Sequence, residues 1–153
     1  MRLAIGSDEH TPLTDAVLTW LQEHGHAVEC HGPLADENLT WPLVAQSVAQ
    51  RVMRGDCEGG ILFCWTGTGV SIAANKFGGI RAALCDDSET ARGARLWNNA
   101  NVLCLSLRRV SIPVALEILQ SWFDTEYEPN EEDDACLAAL EAIERVNRPP
   151  EHD

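Results

Sequence analysis

Apolar and polar positions along this chain fall into two alternating patterns. Short runs dominated by apolar residues, at 2–5, 26–30, 60–64, 80–84 and 101–105, have the length and bounding turn residues of strands. Between and after them, at about 12–23, 41–54, 69–77, 87–96, 111–123 and 132–147, apolar positions recur at helical spacing. An apolar run with little polar alternation is a strand covered on both faces. Strands separated by helices pair in parallel through right-handed crossovers. The pattern predicts an α/β protein: a Rossmann-like three-layer α/β/α sandwich around a five-stranded parallel sheet.

In such sheets ligands bind outside the carboxyl ends of the strands. The residues expected there are Gly6 to His10 after the first run, Cys64 to Ser71 after the third, Cys85 to Asp87 after the fourth, and Ser106 and Arg108 after the fifth. The third group, Cys64-Trp65-Thr66-Gly67-Thr68-Gly69-Val70-Ser71, says the most. It runs from the end of a strand into the start of a helix. Its glycines let backbone N–H groups face a ligand, and the helix N-terminus favours anions and thiolates. A thiol beside donors for a developing oxyanion suits proton abstraction next to a carbonyl. The plainer alternative is a small core residue ending a buried strand, and the glycine loop weighs against it.

At 153 residues and 45% apolar, the chain is expected to form one domain spanning 1–153. Its net charge of −13 argues against nucleic acid and acidic membrane surfaces, which attract basic faces. The first apolar run is too short for a signal or membrane-spanning segment, so no membrane partner and a cytoplasmic location are expected. The 6 cysteines lack C-x-x-C spacing and mostly sit in apolar runs, which predicts buried reduced thiols and no metal site. The acidic stretch 124–134, interrupted by Pro129, is expected to be a solvated loop leading into the last helix, where first-turn acids favour the macrodipole.

Residues 60–76, then Gly79-Ile80-Arg81-Ala82-Ala83-Leu84-Cys85 and Asn98-Asn99-Ala100-Asn101-Val102-Leu103, resemble the ribose-5-phosphate isomerase type B and galactose-6-phosphate isomerase family. The opening Gly6-Ser7-Asp8 and Trp41-Pro42 fit the same pattern, and the resemblance covers roughly residues 1–125. It implies an aldose–ketose isomerase that needs no cofactor or metal and works as a homodimer or homotetramer with active sites at a subunit interface. By position it implies that Cys64 moves the proton between two carbons through an enediolate. Thr66 lies beside it, and the amides of Gly67, Thr68, Gly69 and Val70 hold the enediolate oxygen next to Ser71. Asp8 is then expected to hold a sugar hydroxyl or the ring oxygen.

Three departures from the family bear on substrate. Trp97 stands, just before Asn98, where a histidine commonly opens the sugar ring, and an indole cannot shuttle that proton. His10 is either a substitute or an ordinary loop histidine. The arginines of the family's phosphate-binding segment are replaced by Glu128-Pro129-Asn130-Glu131-Glu132, whose carboxylates repel phosphate; Arg108 does match a family arginine. Trp65 replaces the common glycine and puts a large ring at the pocket mouth. The expectation is an isomerase with an altered sugar or sugar-phosphate substrate. The alternative is a non-catalytic sugar-binding relative. A nucleotide-binding module fits less well, because no G-x-G-x-x-G follows the first strand. The 5 tryptophans favour aromatic-rich interfaces, with Trp65 or Trp97 near a site shared with a neighbouring chain.

Overall fold

The computed structural model describes residues 1–147. In chain order the elements are β1 (Arg2–Ser7), α1 (Pro12–Glu23), β2 (Ala27–His31), α2 (Trp41–Met53), β3 (Gly59–Cys64), α3 (Thr68–Ala74), β4 (Ala82–Leu84), α4 (Ser88–Asn98), β5 (Val102–Ser106), α5 (Ile112–Asp124) and α6 (Glu131–Asn147). A 3-10 turn, Gly32–Ala35, follows β2. The strands form one 5-stranded parallel sheet in the order β2-β1-β3-β5-β4, as the apolar pattern predicts. Local chemistry explains where helices begin. Thr11 and Thr14 exchange backbone-to-hydroxyl bonds across the first turn of α1, with Pro12 preset for a helix start. Asp87 accepts the Thr90 N–H at 2.7 Å to cap α4.

Side chains alternate between two cores. Leu3, Ile5, Ile61, Phe63, Leu103 and Leu105 pack beneath Val17 and Leu21 of α1 and Ile118, Leu119 and Trp122 of α5. On the other face Ala4, Leu62, Cys64, Val102 and Cys104 meet Val44 and Val48 of α2 and Val70 and Ala74 of α3. Every residue of β3 is buried, so the strand that ends in Cys64 lies at the centre of the molecule. Trp20, half-buried, stacks on His24 and Phe123, and Trp122 is in the core.

Several boundaries differ from the expected ones. The helix expected over 69–77 ends at Ala74, because the Asn75 side chain turns back to pair with both backbone groups of Ala82 at 2.9 Å. β4 begins at Ala82 rather than at 80, since the Arg81 N–H is taken by the Asn101 side chain at 2.8 Å. α4 runs on to Asn98 and stops where Asn99 turns left-handed, φ 44°. α6 begins at Glu131, capped by Asn130, whose Oδ1 accepts the Asp133 N–H at 2.9 Å. All 6 cysteines are unpaired; Cys57, Cys64, Cys85 and Cys104 are buried and Cys30 is half-buried, whereas Cys136 is exposed on α6.

Candidate active site

The order β2-β1-β3 means the chain leaves β1 toward one edge of the sheet and later builds toward the other. Diverging connections open a crevice between β1 and β3 at their carboxyl ends. Ser7 is opposite Phe63 in register, so Asp8 and Cys64 both emerge at that crevice.

The loop after β3 is held from the side by β5. The Cys64 carbonyl accepts the N–H groups of Gly67 (3.1 Å) and Leu107 (3.0 Å). The Trp65 carbonyl accepts the Arg108 N–H at 3.1 Å and the Ser106 hydroxyl at 2.9 Å. Gly67, with φ 73°, makes the turn, and a Cβ there would lie 2.5 Å from the Leu84 Cδ1. The first intrahelical bond of α3 is made by the Ser71 N–H to the Gly67 carbonyl at 3.3 Å. The amides of Thr68, Gly69 and Val70 precede it and need acceptors from outside the helix. Cys64 is 5% exposed beside them, and the Thr66 and Thr68 hydroxyls lie 2.6 Å apart on the open side.

Asp8 sits where β1 ends. Its Oδ1 is buried with no hydrogen-bond partner among the described residues. Burial, with help from the neighbouring Glu9 charge, holds its carboxyl above the usual carboxylate range. His10 is exposed, and its Nε2 lies 2.5 Å from Asp15 in the first turn of α1; its partner is α1 rather than the thiol loop.

A cleft of about 680 Å³ opens in front of the loop, lined by Thr66, Thr68, Leu84, Asp86, Ser106, Arg108 and Arg109. The Arg108 guanidinium lies over the Trp65 ring, 5.9 Å from its centroid, and Arg109 pairs with Asp86 at 3.3 Å. Among the described residues no group of three or more His, Cys, Asp or Glu side chains could hold a metal.

The structure gathers Cys64, Trp65, Thr66, Gly67, Thr68, Gly69, Val70, Ser71 and Arg108 at this end of the sheet, with Asp8 beside them. It does not bring Trp97 and Asn98 there. α4 starts at the carboxyl edge and spans roughly 16 Å, so its last turn reaches the opposite edge. There Arg95 donates to the carbonyls of Ala100 and Thr125. Trp97 is 55% exposed and lies against Gly93. The acidic stretch is also remote from Cys64 of its own chain: Thr125, Glu126 and Tyr127 line a hollow with Met1 and Gly59 at the amino-terminal edge. Sequence reasoning missed the Asp86–Arg109 pair and the seat of Trp41 on Gly69. The doublet Asp86-Asp87 after the fourth strand was the available signal for the first; nothing local signals the second.

A sequence profile of the Ribose/Galactose Isomerase family matches residues 3–139. The chain belongs to this family. It is 38% identical over 133 residues to ribose-5-phosphate isomerase B of Escherichia coli K12, covering 87% of this chain and 89% of that one. It is equally 38% identical over 130 residues to the D-erythrulose-4-phosphate isomerase of Pectobacterium atrosepticum, covering 84% and 86%. The structure of Clostridium thermocellum ribose-5-phosphate isomerase B superposes with a TM-score of 0.90 at 35% identity, covering 97% of this chain and 100% of that one. The protein is therefore an aldose–ketose isomerase of the ribose/galactose isomerase family, on the α/β fold expected for it. Among the described residues no helix is long and apolar enough to cross a membrane.

Proposed function

We propose that this enzyme interconverts the aldose and ketose forms of a short phosphorylated sugar through an enediolate, with Cys64 as the proton-transfer residue. The observation that carries this reading is the thiol at the end of β3, beside the helix-start amides of Thr68, Gly69 and Val70. Cys64, as thiolate, takes the proton from the carbon next to the carbonyl. The electron pair moves to oxygen, where these amides stabilise the charge. Return of the same proton to the neighbouring carbon completes the exchange. Thr66 orients the oxygens. Asp8, which keeps its proton to higher pH than an ordinary aspartate, protonates the ring oxygen as the sugar opens and supplies what Trp97 cannot. His10, paired with Asp15, is left as a rim residue.

Arg108 is the anion contact. Similarity alone does not choose the sugar, because the relatives named for ribose 5-phosphate and for D-erythrulose 4-phosphate are equally close at 38%. Asp86 faces the same cleft and pairs with Arg109, so Arg108 alone meets the phosphate and any sugar phosphate, ribose 5-phosphate included, is expected to bind weakly.

We also propose that the whole chain is one isomerase domain acting in the cytoplasm, and that two copies form a C2 dimer or assemble further into a tetramer. The support is the placement of exposed Trp97 and Asn98 at the edge remote from Cys64, where they are positioned to meet a neighbouring chain. The exposed apolar side chains Trp41, Leu43, Ile72 and Leu140 add to it. The deciding experiment assays tetroses, pentoses and hexoses, free and phosphorylated, for aldose–ketose conversion without added metal, using the wild-type protein and Cys64→Ala. Turnover of one sugar phosphate that vanishes in Cys64→Ala is expected. Full activity in the variant refutes the role of Cys64, and a strictly monomeric active enzyme refutes the shared site.

A further inference from the structure

Trp65 has no explanation in packing. Its side chain belongs to neither core and is 56% exposed, next to Thr66 and Arg108 of the cleft lining, an expensive place to leave an indole unless the ring has a task. Its nearest ring partner is the guanidinium of Arg108, 5.9 Å from the centroid. Two hydrogen bonds to the Trp65 carbonyl register the pair: the Arg108 N–H donates to it at 3.1 Å, and the Ser106 hydroxyl at 2.9 Å. Ring and guanidinium therefore start from backbone positions already fixed against each other.

The neighbouring cation is engaged elsewhere, because Arg109 is tied to Asp86 at 3.3 Å. Among the described residues no carboxylate forms an ion pair with Arg108, which leaves it as the guanidinium available to an anion in the cleft. An unsupported arginine at a surface samples many rotamers and gives them up on binding. A guanidinium held by cation–π attraction over an aromatic face samples fewer rotamers, and its N–H groups remain able to fork onto phosphate oxygens.

We infer that Trp65 is a positioning residue for anionic substrates: its indole face holds Arg108 over the cleft as the arm that takes the substrate's phosphate. This rests on the proposal that the cleft receives a sugar phosphate, and goes beyond it by assigning a role to the residue that stands where the family commonly has glycine. Because the cleft also carries Asp86, inorganic phosphate binds weakly, and the ring's contribution is a measurable share of that affinity.

The test titrates inorganic phosphate into the wild-type protein, Trp65→Ala, Trp65→Phe and both Trp65 variants in an Arg108→Gln background. The readouts are the arginine side-chain Nε–H resonances and the steady-state constants for the best phosphorylated substrate. The wild type is expected to show a phosphate-dependent shift of the Arg108 resonance. In Trp65→Ala the phosphate Kd rises about two- to fivefold, the range of an exposed cation–π contact, and KM rises with it while kcat changes less. Trp65→Phe, which keeps a ring face, restores part of the loss. With Arg108→Gln in place, removing the ring has no further effect. The inference is overturned if the wild type gives no such shift, if Trp65→Ala binds phosphate as well as wild type, if Trp65→Phe is no better than Trp65→Ala, or if the ring still matters without Arg108. Phosphate affinity that follows Trp65 in a protein that turns over no sugar phosphate would sink the substrate proposal and leave the positioning role standing.

Discussion

The indole of Trp41 lies across Gly69 so closely that a Cβ at position 69 would come 3.0 Å from the Trp41 Cε3 and 3.1 Å from its Cδ2. Trp41 opens α2 and Gly69 lies in the first turn of α3, so the contact sets how far the amides near the thiol stand from the neighbouring helix. Trp41 is 41% exposed and can give way. Gly69→Ala is therefore expected to cost no more than about 1 kcal/mol in stability. Turnover should fall at least about tenfold, because donors aimed at an oxyanion lose value when displaced. Melting curves and kcat on the same preparation check this; undiminished kcat would show that the placement of these amides is not critical.

Gly67→Ala is the harsher change. The added methyl would meet the Leu84 Cδ1 at 2.5 Å and the Leu105 carbonyl carbon at 3.0 Å, at a backbone φ of 73° that disfavours any Cβ. Together these are expected to remove about 2–4 kcal/mol, measured as a shift of the urea midpoint. A loss below that of Gly69→Ala would contradict the assignment of Gly67 as the turn residue.

Replacing Cys64 with Ala should abolish turnover at a stability cost of about 1 kcal/mol, since only a small buried sulfur is lost. Thiol labelling separates Cys64 from the others by environment. Cys136, exposed on α6, should react first. Cys85, pushed up to about 12 by burial and by Asp87 and Asp86, and Cys104, raised by full burial, should resist labelling while the protein stays folded. A substrate that occupies the cleft should slow labelling of Cys64 and leave Cys136 unchanged. Mass spectrometry of partially labelled protein reads both.

Asp8 links activity to pH. Burial and Glu9 raise its carboxyl above the ordinary value of 3.8, so the folded chain holds this proton more tightly than the unfolded chain does. The contribution to stability is complete below 3.8 and is lost as pH rises through the folded value. Asp8→Asn removes the penalty of a buried charge. The variant should melt above wild type at neutral pH, with the difference shrinking as pH falls through the raised folded value toward 3.8 and staying level below it, while turnover falls at every pH. A melting difference that is constant across pH would mean that Asp8 carries no such penalty.

Much of this architecture was legible because strand burial is written directly in apolar runs. The residues 60–64 are apolar or small throughout, and the structure buries all of β3. The candidate site was legible where it is local in sequence: Cys64 through Ser71 lie on one loop and stay together. It was not legible where distance along the chain misleads. Trp97 and Asn98 follow the pattern of a site segment, yet α4 carries them to the far edge, which only helix length and sheet topology reveal. The shortened α3 depended on the Asn75 side chain finding Ala82, and the approach of Arg108 to the Trp65 ring depended on β5 lying next to β3. No periodicity encodes either contact.

The bonds from the segment after β5 to the carbonyls of Cys64 and Trp65 make the thiol loop mechanically an extension of the sheet. Binding loops are ordinarily drawn from the least stable parts of a fold and open locally long before the core does. Here the amides of Leu107 and Arg108 can be released to solvent only by parting the thiol loop from the segment after β5. They should exchange hydrogen on the slow timescale of the central strands, while the amides around Thr40 and Asn130 exchange fast. An enzyme built this way meets its substrate with a surface that is already set and leaves the adjusting to the sugar, to Arg108 and to whatever lies across the cleft.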